Sequence, residues 1–372
     1  MFGDKLMKAA LEKWFLSYLG DLFRDRSFNS NEPVDVMFCL ADHFEPWCGQ
    51  VDAETQRKRV RAWTEGYPEL AEKFKDSDGR PPQHTWFFPP HEADEHLLAL
   101  TGLCKAGFGE IELHLHHDHI LPVPDTAQTL EKKILTAVDW YARHGHLGRD
   151  KEGKVRFGFV HGDWALDNSR GGKYCGVNNE LQVLAKCGCY ADFTFPSINE
   201  AQPRKINTIY CAKDDPEKPK SYDTGIDVRA GGKPYGDLML VEGPLGIRTK
   251  NKFPFIGVEA ANISSTDIPT GQRIDLWIKT AIRVQGAPNW VFVKVHTHGA
   301  MERNADVFFG GGAEKMHEYL RDNYNDGKRF RLHYVAAREM YNIIKAAEKG
   351  EIGDPGRFRD YLINKPTVNA VP

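Results

Sequence analysis

The sequence predicts an α/β protein, an irregular barrel of β/α units with an inserted loop and hairpin region. Three observations carry this expectation. Short apolar runs alternate with longer helical segments along most of the 372 residues, and repeated strand–helix–strand order builds parallel strands joined by helical crossovers. Residues 198–262 break that rhythm and are rich in Gly, Pro, Asp and Lys. Polar residues gather at the C-terminal ends of the expected strands, the end at which parallel barrels carry their sites.

The elements follow in chain order. "VDVMFCLA" (34–41) reads as a buried strand and 54–75 as the helix after it. "HTWFFP" (84–89) is the next strand, 92–106 the next helix, and "EIELHLH" (110–116) alternates as a third strand. A helix over 126–144, a strand at 155–162, a helix near 177–187 and a strand at 189–196 continue the pattern. After the interruption come a helix at 272–285, the strand "WVFVKVHTHG" at 290–299, a helix at 313–325, and a short strand running into a last helix over 330–350. So many units favour a closed, TIM-like (β/α)7-8 barrel over an open sheet. The chain then divides into an amphipathic N-terminal helix (1–30), a barrel (31–350) with its insertion at about 198–262, and a C-terminal tail (351–372).

Composition narrows the function. With 41% hydrophobic and 27% charged residues the chain can bury a sizeable core, so disorder is excluded. The 49 basic and 52 acidic side chains leave no cationic excess, which argues against nucleic acid as a partner. The seven cysteines are irregularly spaced and read as reduced thiols, which points to a cytoplasmic protein. The N-terminal residues carry charges that interrupt any signal-peptide core, and no apolar run spans a membrane. Leu11, Trp14, Phe15, Tyr18, Leu19, Leu22 and Phe23 keep helical spacing, which fits a helix packed on the domain or one that meets a membrane surface or a partner peripherally.

"GEIELHLHHDH" (109–119) places four histidines and one aspartate within six positions. Other strand ends contribute Asp42, His43 and Glu45; His91 and Glu92; His161, Asp163, Asp167 and Asn168; Asp192, Thr194 and Ser197; and Lys294, His296 and His298. Side chains two apart on a strand share a face, so His114 and His116 point together, as do His296 and His298. Imidazole with a carboxylate suits Zn²⁺ and its first-row neighbours, and two histidines plus one carboxylate leave positions for water and substrate.

The order "FCLADHFEP", "TWFFPP", "GEIELHLHHD" and a late "VHTHG" resembles the polysaccharide deacetylase superfamily, metal-dependent carbohydrate esterases and amidases of the glycoside hydrolase/deacetylase group. The resemblance implies an irregular (β/α) barrel, an acidic pair after the first strand (here Asp42-His43), two metal ligands separated by three residues (here His114 and Asp118), and a late histidine acid (here His296 or His298). The chain departs from the pattern in having Asp-His for the acidic pair, Asp for the second ligand histidine, and no Arg-Pro-Pro-like motif.

Together these readings give a metal-dependent hydrolase that removes an N- or O-acyl group from a carbohydrate. A divalent cation, Zn²⁺ foremost, is held by His114, by His116 or Asp118, and by His43 or Asp42. Asp42 is the base, His298 the acid and His296 its support, since His298 precedes Gly299 at the strand end. Trp47, Trp86, Trp164, His161, Asp163 and Asp192 are assigned to the sugar. Two alternatives remain: a glycosidase with paired carboxylates from Asp42, Glu45, Asp163 and Asp192, and a catalytically degenerate sugar-binding barrel.

Overall fold

The computed structural model describes residues 10–117, 124–249 and 255–368. Its centre is a mostly parallel 12-stranded sheet flanked by helices. The first part of the chain runs α1 (Leu11–Asp21), β1 (Val34–His43), α2 (Ala53–Ala71), β2 (His84–Phe88), α3 (Asp94–Lys105), β3 (Gly109–Leu115), α4 (Ala127–Arg143), β4 (Gly148–Asp150), β5 (Val155–His161), α5 (Glu180–Cys187) and β6 (Cys189–Asp192). The second part runs β7 (Ile209–Ala212), β8 (Ile226–Asp227), β9 (Leu238–Val241), β10 (Gly246–Thr249), β11 (Ile256–Glu259), α6 (Gly271–Lys279), β12 (Trp290–Thr297), α7 (Glu302–Phe309), α8 (Gly312–Tyr324), β13 (Phe330–Tyr334), α9 (Ala337–Lys349) and β14 (Ile363–Asn364).

The strand order is β12-β1-β2-β3-β5-β6-β9-β7-β8. One edge of β1 pairs with β12 over Asp35–Asp42; the other is shared, β13 taking Val34–Phe38 and β2 taking Leu40–His43, all parallel. All ten residues of β1 are buried, which is why it reads as a near-continuous apolar run rather than an alternating one. Alternation along it sorts two packed layers. Val36, Phe38 and Leu40 join Val60, Trp63 and Tyr67 of α2, whereas Met37, Cys39 and Ala41 join Phe292 of β12 and Met340 and Ile343 of α9. Asp42 therefore belongs to the α2 side of the strand and His43 to the opposite side.

The expected elements reappear with shifted ends, and α7 was not anticipated because its eight residues follow "VHTHGAM" with too few turns to show a period. The stretch expected as an insertion is partly built into the main sheet: β9 lies parallel to β6, and β7 runs antiparallel beside β9. Among the described residues, β10 and β11 form a separate two-stranded antiparallel sheet. Beyond α9, β14 pairs with β4, and the Asn342 amide donates to the carbonyls of Arg359 and Ile363, so the C-terminal segment is docked through residue 364. At the other end Trp14 of α1 is buried against Ile206, Leu245 and Ala260. Among the described residues no helix is long and apolar enough to cross a membrane.

Candidate metal centre

A cavity of about 430 Å³ opens at the C-terminal ends of β1, β2 and β3, lined by residues that include His43, Glu45, Glu92, His114, His116 and His298. Glu45 stands two residues beyond His43, His114 is the penultimate residue of β3, and His116 follows that strand. Glu45 Oε1 lies 2.7 Å from His116 Nε2 and 3.7 Å from His114 Nε2. The two imidazole Nε2 atoms are 3.1 Å apart. A tetrahedral site with ligand bonds of about 2.0–2.2 Å sets its donors roughly 3.3–3.5 Å from one another. The triangle Glu45–His114–His116 has that scale.

The far side of each ring fixes which nitrogen is available. His114 Nδ1 donates to the Val160 carbonyl at 2.9 Å, and His116 Nδ1 faces Asp163 Oδ2 at 3.2 Å. With the proton held on Nδ1, each neutral ring turns an Nε2 lone pair inward, the arrangement that carbonyl and carboxylate partners impose on metal-binding histidines. Two lone pairs and a carboxylate oxygen share one small volume only with a positive charge, a proton or a metal ion, between them. The described residues thus include a Glu/His/His group able to hold a metal ion.

The electrostatics agree. Burial pushes the Glu45 carboxyl up, but the hydrogen bonds and charges of His114 and His116 outweigh it and hold it well below the usual carboxylate range. Burial pulls His116 down, but Asp163 and Glu45 outweigh it and raise the imidazole to about 9. His114 itself is lowered by burial. Without a metal ion, the positive charge beside Glu45 is the His116 imidazolium, whose inner proton a bound cation would replace.

The segment carrying Asp163 is tightly fitted. A Cβ on Gly162 would lie 2.5 Å from the His116 ring, so only glycine lets the chain pass there. Asp163 and Trp164 follow, both at φ 54°, in the left-handed region that L-residues rarely occupy. Strain of this kind persists only where surrounding contacts enforce it, and it gathers at sites. It delivers the Trp164 ring to 5.6 Å from His298 and 5.9 Å from His43, centroid to centroid.

His43 and His298 complete the wall, their ring centroids 4.6 Å apart. Burial lowers both imidazoles, so neutral rings are favoured. Nε2 of His43 is buried with no hydrogen-bond partner. His43 thus sits beside the three-donor group, its ring 5.2 Å from His114, rather than within it. His298 also borders a second cavity of about 530 Å³, which Trp164 shares and which His296, Asn262, Ser264, Thr266 and Asn304 line.

No protein-family model, no curated protein and no solved structure matches this chain.

Several expected site residues lie elsewhere. Asp42 lines neither cavity: alternation along β1 turns it toward α2, where it accepts the Gly299 N–H at 2.6 Å and faces His84 Nε2 at 3.0 Å. Burial pushes its carboxyl up to about 8. The carboxylate after β1 that lines the cavity is Glu45. Trp86 is fully buried against His84 and Tyr67 in the core. Asp192 is buried on Thr194, whose N–H and hydroxyl donate to it at 3.0 and 2.7 Å. His161 is buried outside both cavities. Asp118 lies outside the described residues. Trp47, Asp163 and Trp164 do line the cavity, and His296 lines only its neighbour.

Two further carboxylates, Glu45 and Glu92, reach the cavity. Glu45 was legible from spacing, since His43 and Glu45 are two apart in extended chain and share a face. Glu92 had no such signal. It reaches the cavity after β2, accepts the Trp47 N–H at 2.9 Å, and leaves Oε2 buried without a partner. Burial pushes its carboxyl up to about 7.

Proposed function

We propose that this chain is a metal-dependent hydrolase that removes an N- or O-acyl group, acetyl foremost, from a carbohydrate or sugar-containing precursor. The observation that carries the reading is the convergence of Glu45 Oε1, His114 Nε2 and His116 Nε2, with both Nδ1 atoms engaged behind them, on one cavity. These three residues would hold the cation, with Zn²⁺ the best match to a mixed nitrogen and oxygen set. A divalent cation there supplies Lewis acidity toward water and toward an acyl carbonyl.

The chain's own residues do the rest. Glu92, with a free buried oxygen and a pKa pushed up to about 7, takes a proton from attacking water. His298, neutral at rest and lining the same cavity, takes up the proton released by water and passes it to the departing amine or hydroxyl. Asp42 positions that wall by holding the N–H of Gly299. Trp164 and Trp47 offer flat faces for a sugar ring, and the amides and hydroxyls of Asn262, Ser264, Thr266 and Asn304 suit a polyhydroxylated ligand.

The same proposal includes closure of the sheet into an irregular β/α barrel. Its support is cross-sheet: Lys294 Nζ of β12 donates to the Phe193 and Phe195 carbonyls just beyond β6, and a Cβ on Gly243, just beyond β9, would touch the Lys294 carbonyl. Peripheral contact of α1 with a membrane surface or partner is supported by Leu16 and Phe23, 82% and 89% exposed, and is read by vesicle co-sedimentation of the wild type against Leu16→Ser/Phe23→Ser.

The test is acetate release from N- and O-acetylated saccharides by the Zn²⁺-loaded protein. Release that falls in Glu45→Gln and in His298→Ala is the expected result. Cleavage of glycosidic bonds without acetate release would favour the paired-carboxylate alternative. Saccharide binding with neither reaction would favour the degenerate barrel.

A further inference from the structure

His117 follows His116 directly, yet it lines neither cavity. It meets His161 at the end of β5, Cys175 in the loop beyond, and Glu180, the first residue of α5. All four are buried, and one donor atom from each lies within 4.8 Å of every other. Nε2 of His117 is 2.8 Å and Nε2 of His161 is 3.4 Å from Glu180 Oε1, while Cys175 Sγ is 3.4 Å from Glu180 Oε2. The two imidazoles stack with centroids 4.5 Å apart.

Ordinary core packing does not satisfy this group. His117 Nδ1 and Nε2, His161 Nε2 and Glu180 Oε1 are buried without a hydrogen bond of good geometry. Such atoms are costly in an interior. Their outer partners are already assigned. His161 Nδ1 donates to the Gly162 carbonyl at 2.5 Å, so in the neutral ring Nε2 is a lone pair facing a carboxylate. Glu180 Oε2 accepts the Asp167 N–H at 2.6 Å, which turns Oε1 toward the imidazoles. Cys175 Sγ accepts the Val177 N–H at 3.4 Å and, as a thiol, donates to Glu180 Oε2 at 3.4 Å, a proton that binding of a cation would displace. Two nitrogens, one oxygen and one sulfur, all from the protein, match the closed four-ligand sites that Zn²⁺ takes, whose donors stand roughly 3.3–3.8 Å apart.

We propose that His117, His161, Cys175 and Glu180 form a second, closed metal site for a zinc-class cation, and that it pins the segment 162–174 beside the cavity. That segment holds Asp163, Trp164, Asp167 and Asn168 at φ between 51° and 54°, and it presents Asp163 and Trp164 to the cavity. A fixed point at each end, His161 before it and Cys175 with Glu180 after it, supplies the restraint this backbone needs. The proposal stands apart from the cavity reading, because the two groups share no ligand.

Cobalt substitution tests it on the full-length protein, stripped with chelator and titrated with Co²⁺. The wild type is expected to bind two equivalents and to show a near-ultraviolet sulfur-to-cobalt charge-transfer band. His114→Ala keeps that band and loses one equivalent, whereas Cys175→Ala loses the band and the other equivalent. Should Cys175→Ala fail to fold, Cys175→Ser carries the same spectral readout in a side chain of nearly equal size. A folded, Co²⁺-saturated wild type without the band, or a band that survives replacement of Cys175, overturns the proposal. In that case the four side chains are a buried imidazolium–carboxylate pair with a neighbouring thiol. A wild type that shows the band but binds only one equivalent would instead count against the cavity reading alone.

Discussion

Asp163 Oδ2 lies 3.2 Å from Nδ1 of His116, on the side of the ring away from the Glu45 contact. The carboxylate orients the imidazole and increases its basicity at Nε2. Asp163→Ala is therefore expected to weaken cavity metal affinity by about 10–100-fold while leaving the fold intact. Competition with a chromophoric chelator measures it. Unchanged affinity would remove Asp163 from the metal's support.

Glu92→Gln keeps size and the Trp47 contact but cannot accept a proton. Turnover is expected to fall by roughly 10²–10⁴-fold with metal content unchanged. In the wild type the acid limb of the rate profile should fall near pH 7, the value to which burial pushes this carboxyl. A rate profile that keeps the same limb in Glu92→Gln assigns the base elsewhere.

Gly299→Ala tests the other wall. A Cβ there would lie 2.2 Å from Asp42 Oδ2 and 2.5 Å from the Trp63 ring. Both neighbours are buried, so the backbone beside His298 must shift. A loss of about 1–3 kcal/mol in unfolding free energy is expected, together with lower turnover. Urea denaturation reads the first and the acetate assay the second. A wild-type result in both would show that the turn has room to spare.

A prediction about stability rests on His333, which sits between Asp35 Oδ1 at 3.0 Å and Asp78 Oδ2 at 2.9 Å. Burial pulls the imidazole down, but these carboxylates outweigh it and raise it from 6.5 to about 9. Asp78 is shifted the opposite way, as a true pair requires. Because the folded value exceeds the unfolded one, the stabilisation is whole below about pH 6.5 and is lost as pH rises through about 9. Its size is on the order of 3 kcal/mol. The unfolding free energy of the wild type, less that of His333→Gln, should shrink across that window. A difference independent of pH would mean that His333 is neutral in the folded protein.

The sheet was legible because its strands are clear in pattern: β1, β5 and β12 are apolar runs with abrupt polar ends, β3 alternates, and the helices between them keep period. What could not be read is the face each polar end takes. "ADHFEP" offers Asp42, His43 and Glu45, and only the pairing of β1 with its neighbours sends Asp42 toward α2 and His43 to the other side, with Glu45 reaching the cavity. The same blindness hid the division between His116 and His117, adjacent in sequence yet facing different groups. The joining of β9 to β6 was also hidden, because a four-residue strand amid Gly- and Pro-rich loops carries too little pattern to announce its partner.

The central claim is that Glu45, His114 and His116 hold one metal ion. Anomalous diffraction at the zinc edge, from crystals grown with Zn²⁺, tests it most directly. The account predicts a peak about 2.0–2.2 Å from Glu45 Oε1, His114 Nε2 and His116 Nε2. A Zn²⁺-equilibrated crystal with no anomalous density among those three atoms would contradict it.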